Sequence, residues 1–108
     1  MYGLSNTQIS KIHSVFSNYE AINKAILYGS RAKGDFRNAS DIDLCLRGEN
    51  LDLNLLLKIE TELDELLLPY KIDLSLYHKI ENENLIDHIK RIGLVFYEKQ
   101  KPRKSAKH

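Results

Sequence analysis

Residues 27–46 read LYGSRAKGDFRNASDIDLCL. An apolar stretch runs into Gly29-Ser30, ten residues of polar loop follow, and Asp41-x-Asp43 opens a second apolar stretch. Residues two apart on a strand share a face, so Asp41 and Asp43 are expected side by side. Carboxylates that close repel unless a cation sits between them, and a hard divalent ion, which prefers oxygen ligands, is the natural occupant. Asp73 lies between Ile72 and Leu74 in a stretch of the same character. If its strand neighbours the first, Asp41, Asp43 and Asp73 form a three-carboxylate metal cluster.

The turn supplies the other half of the chemistry. Gly29 lets the backbone approach a ligand closely, Ser30 offers a hydroxyl, and Arg31-Ala32-Lys33-Gly34 is expected to open a short helix whose free N–H groups favour an anion. A phosphate chain held there would lie near the acids, with Arg31 and Lys33 adding positive charge. Together the parts describe magnesium-assisted phosphoryl chemistry. Singly, each is more often a turn, a strand end or a surface charge. The combination needs three strands in the right places, and the sequence offers them.

Outward from the stretch, Ser5 with Gln8 forms a capping-box pattern, with Leu4 and Ile9 as the flanking staple and Ile9, Ile12 and Phe16 as one helical face. Residues 21–28 read as a strand, although their alanines and lysine leave helix open, and residues 42–47 read as a buried strand. A leucine-rich helix follows Gly48-Glu49-Asn50, with Leu56, Ile59, Leu63, Leu66 and Leu67 inward, Lys58, Glu62 and Glu65 outward, and Pro69 as its stop. Residues 71–77 alternate as a strand with one buried face. Residues 83–91 form a helix with Leu85, Ile86 and Ile89 inward and Gly93 at its end, before a strand at 94–97.

The 108 residues, 43% hydrophobic, suffice for one core. No segment reads as a membrane span or signal peptide, so a cytoplasmic location is expected. Cys45 reads as a small buried hydrophobe. Five of the sixteen basic residues fall at 99–108, leaving eleven basic against fifteen acidic residues in 1–98, a net of −4. Such a body is not expected to bind nucleic acid. The expected division is a domain at 1–98 and a basic, disordered tail at 99–108. His13, His78 and His88 read as surface positions without metal spacing, Tyr28 as a strand-end core aromatic, and no GxxxxGK string points to a P-loop.

Gly29-Ser30, ten residues, Asp41-x-Asp43 and a later Asp73 resemble the signature of the polymerase-beta-like nucleotidyltransferases. The string GSRAKGDFRNASDIDL is similar in particular to the minimal nucleotidyltransferases, the MNT proteins. The resemblance implies an α/β (α+β) domain, a mixed sheet of about four strands flanked by helices. It implies that Asp41, Asp43 and Asp73 are catalytic and hold two Mg2+ ions, Asp73 also assisting deprotonation of the acceptor. Gly29, Ser30, Arg31, Lys33 and Ser40 are the expected nucleotide-binding set, and ATP the expected substrate. It implies a helical HEPN-type partner, either as a ribonuclease toxin that this chain neutralises by AMP transfer to a hydroxyl or as a substrate-binding subunit. Two alternatives stay open: an antitoxin acting by complex formation alone, and a nucleotidyltransferase for a small molecule of aminoglycoside type.

Overall fold

The computed structural model describes residues 1–100. The capping box forms as the sequence predicts: the Gln8 N–H donates to the Ser5 hydroxyl, and the Ser5 N–H donates to the Gln8 side chain. It starts α1 (Asn6–Ser17), whose buried stripe is Ile12, Val15 and Phe16, with Leu4 buried just ahead of the cap. After it come β1 (Lys24–Tyr28), α2 (Ser30–Lys33), β2 (Ile42–Arg47), α3 (Leu53–Asp64), β3 (Ile72–Leu76), a 3-10 turn (Tyr77–Lys79), α4 (Glu83–Ile92) and β4 (Leu94–Glu98). The architecture is therefore the expected α+β one, with a four-stranded mixed sheet in the order β3-β2-β1-β4.

β1 runs antiparallel to both β2 and β4, while β2 and β3 are parallel. Parallel neighbours cannot be joined by a tight turn, and α3 provides the crossover. Alternation along the strands gives the sheet two different faces. Ala25, Leu27, Ile42, Leu44, Leu46, Leu74 and Leu76 point into the main core with Ile12, Phe16, Ile59 and Leu63. Tyr28 and Cys45 point the other way, into a small cluster closed by Ile89 of α4. Leu27, Ile42, Leu44 and Leu46 are fully buried, each contributing about 1.5–3 kcal/mol. That anchored face holds β1 and β2 in register while their opposite faces carry polar groups.

Three expectations need correction. β1 begins at Lys24 rather than residue 21, because Ala21 and Ile22 belong to a turn in which the Ile22 N–H donates to the Tyr19 carbonyl. α3 stops at Asp64, five residues short of Pro69. A proline disfavours helix at the residue before it, and the chain has already left the helix through Leu67, at φ +55° and 87% exposed. Leu67 is thus off the inward face, and Glu62, expected outward, accepts the Tyr19 hydroxyl. Finally, Lys99 belongs to the folded body: its N–H donates to the Asn23 carbonyl and its ammonium to the Glu20 carbonyl. Of the expected disordered tail, residues 101–108 lie outside the described residues. No helix among the described residues is long and apolar enough to cross a membrane.

Candidate active site

The sheet register brings the expected residues together. Asp43 pairs with Tyr28 across the antiparallel ladder and with Asp73 across the parallel one. Same-face alternation with Cys45 and Ser75 sets both carboxylates on the α4 side of the sheet. Asp41 stands one residue ahead of β2, exposed at its entrance. Beside Asp43, the end of β1 turns into α2 through Gly29, at φ +77° and ψ −155°, a region only glycine occupies readily. A Cβ at Gly29 would lie 2.3 Å from Asp43 Oδ2. The glycine is therefore required both by its own backbone and by the carboxylate packed against it. Ser30 opens α2, and Gly34 ends it in the left-handed conformation.

The electrostatics follow from that crowding. Partial burial first, then the charges of Asp73 and Asp41, push the Asp43 carboxyl above its ordinary range, while His88 and Arg31 pull it back. Tyr28 is raised chiefly by burial, with Asp43 and Asp73 adding to the effect against a long 3.5 Å contact to the Ser75 hydroxyl. Cys45, buried as expected, has its thiol pushed up to about 11 by desolvation.

Among the described residues no group of three or more His, Cys, Asp or Glu side chains is arranged to hold a metal ion. Asp43 and Asp73 are paired by register, while Asp41 and Asp73 are exposed. The donor chemistry nevertheless suits magnesium, which binds through one or two carboxylates and completes its shell with water and substrate phosphates rather than an all-protein cage.

The positive residues sit differently from one another. Lys33 is exposed and pairs with Asp35 at 3.5 Å. Arg31, expected to face the phosphates, is only 2% exposed. Its guanidinium donates to the carbonyls of Ser40 at 2.8 Å and Tyr2 at 2.9 Å and, at 3.3 Å, to that of Asn38. It also lies over the rings of Phe36 and Tyr70. Five donors on a rigid fork suit such a cluster of carbonyls. Arg31 thus fastens the loop leading to Asp41 and the segment leading to Asp73. Ser40 serves the same loop, its hydroxyl accepting the Arg37 N–H at 2.8 Å.

One residue at the site was not expected there. His88 of α4 accepts the Gly29 N–H through Nε2 at 3.1 Å, and its ring meets Tyr28 edge-on, 6.2 Å between centroids. The signal for it was present, since His88 precedes buried Ile89 and follows Leu85 by three, on the inward flank of an amphipathic helix.

A model of the family described as polymerase beta, nucleotidyltransferase, matches residues 10–102. That span holds every residue just described except Tyr2.

The chain belongs to the polymerase beta nucleotidyltransferase family.

No curated protein matches its sequence. Several solved structures share this nucleotidyltransferase fold. One is a toxin–antitoxin crystallised with AMP-PNP, 21% identical over 90% of this chain and 76% of that one, TM-score 0.68. Another is the complex of tri-AMPylated Shewanella oneidensis HEPN toxin with MNT antitoxin, at 18% identity over 92% and 74%, TM-score 0.65. A third is the toxin–antitoxin MntA-HepT, at 18% identity over 88% and 74%, TM-score 0.64. At these identities the likeness establishes the fold. The fold in turn explains the site: an antiparallel β1–β2 pair places the glycine turn against the first residues of β2, and a parallel β3 adds the third acid.

Proposed function

We propose that this nucleotidyltransferase moves AMP from ATP onto a hydroxyl of a helical, HEPN-type partner protein and so acts as the antitoxin of a toxin–antitoxin pair. The observation that carries the reading is the packing of the Gly29-Ser30 turn directly on Asp43, with Asp73 registered beside it. A phosphate chain on that turn would meet the carboxylates without any rearrangement of the sheet. Solved structures of the same fold include one with AMP-PNP and one whose HEPN toxin carries AMP, which supports ATP and a protein acceptor for this chain.

In this reading Gly29 lets the backbone approach the triphosphate closely, Ser30 binds it, Lys33 of α2 adds positive charge, and Arg31 and Ser40 hold the loop that delivers Asp41 and Asp43. Asp41 and Asp43, with Asp73, would bind magnesium, which supplies charge neutralisation on the phosphate oxygens. Asp73 takes the proton from the acceptor hydroxyl. The acceptor oxygen then forms a bond to the α-phosphorus, the bond from that phosphorus to the bridging oxygen breaks, and pyrophosphate leaves with the electron pair.

Pyrophosphate release from ATP by the chain mixed with its helical partner tests the proposal. Release that requires the partner and disappears in Asp43→Asn supports it. Partner neutralisation that persists in Asp41→Asn with Asp43→Asn would instead mean that complex formation alone is sufficient.

A further inference from the structure

The contact between α4 and the glycine turn spans 59 residues of sequence and ties the helix to the backbone N–H just ahead of the candidate phosphate donors. In this contact the imidazole is the acceptor, through Nε2. The Tyr28 ring against its edge and Ile89 beside it fix the direction from which it approaches. The Gly29 N–H is thereby satisfied within the protein. The donors left to a phosphate are those of the following residues, beginning with Ser30 at the opening of α2.

We propose that His88 is a positioning residue for nucleotide binding: by accepting the Gly29 N–H it fixes the 28–29 peptide plane, and so the direction in which Ser30 and α2 meet the phosphates. This rests on the reading of the turn as the triphosphate site. Glycine at φ +77° adopts other conformations at small cost, and the contact narrows that freedom. A side chain with an acceptor at the same reach can replace the imidazole. One without an acceptor cannot.

The test uses the full chain as wild type, His88→Ala and His88→Gln. Affinity for a non-hydrolysable ATP analogue with magnesium is measured by calorimetry, and the Gly29 amide is followed by NMR. In His88→Ala the Gly29 amide proton should move upfield and affinity fall about three- to tenfold, the equivalent of one hydrogen bond. His88→Gln should recover most of both. A wild type that binds, with a His88→Ala that binds equally well or a His88→Gln no better than alanine, overturns the role of His88 alone. A wild type that does not bind the analogue overturns the nucleotide reading and this inference with it. The NMR arm separates the two, because the Gly29 amide reports the contact without any nucleotide.

Discussion

Replacing Gly29 by alanine should damage fold and site together, by amounts that can be separated. The backbone there sits at φ +77° and ψ −155°, where a residue with a Cβ costs about 1–3 kcal/mol. The added Cβ would also lie 2.3 Å from Asp43 Oδ2 and 3.2 Å from its Cγ, an overpacking that costs a further ~1–3 kcal/mol. Together, about 2–6 kcal/mol is a large share of the 5–15 kcal/mol typical of a whole domain. Urea unfolding of wild type, Gly29→Ala, Asp43→Ala and the double variant reads this as a cycle. Shortening Asp43 removes the clash but leaves the backbone cost, so the double variant should recover roughly half of the Gly29→Ala loss. Strict additivity of the two substitutions, or a Gly29→Ala chain as stable as wild type, would refute the close packing of turn and carboxylate.

Other consequences follow from the same geometry. Arg31→Lys keeps the charge but cannot span the carbonyls of Tyr2, Asn38 and Ser40, so urea unfolding should show a loss of about 2–3 kcal/mol; an unchanged midpoint would mean the clamp is idle. The folded state raises the Asp43 carboxyl, so the stabilisation tied to that group is present below its unfolded pKa and lost as pH rises through its folded one. Asp43→Asn should therefore melt higher than wild type at neutral pH, with the gap closing on acidification through the carboxylate range; a gap that widens would reverse the sign. Leu67, exposed at φ +55°, is the place where glycine should stabilise, by about 1 kcal/mol in the same assay; a loss there would mean the side chain packs against something.

Much of this was legible in the sequence because period-two alternation and turn residues speak directly to backbone geometry. The limits of β2, the short α2 closed by Gly34, the capping box at Ser5 and the approach of Asp73 to Asp43 all rest on such local rules. What could not be read depended on partners distant in sequence. Arg31 is charged and sits in a polar loop, yet carbonyls contributed by residues 2, 38 and 40 and two aromatic rings make its burial favourable. The helical pattern placed His88 on the inward flank of α4, but its partner, a backbone N–H on another element, could not be read. The leucines after Asp64 continue a helical pattern in composition, but Pro69 and the crossover to a parallel strand end the helix early. Of the three acids, the fold pairs Asp43 with Asp73 by register and leaves Asp41 at the strand entrance.

In the proposed function a nucleoside monophosphate, and not a phosphate, passes to a partner protein. ATP labelled at the α-phosphorus is compared with ATP labelled at the γ-phosphorus, each incubated with magnesium, this chain and a helical HEPN-type protein. Label is expected on the HEPN-type protein from the α position only, abolished by Asp41→Asn with Asp43→Asn. Label arriving from the γ position, or α-label on the partner that survives that double substitution, would contradict it.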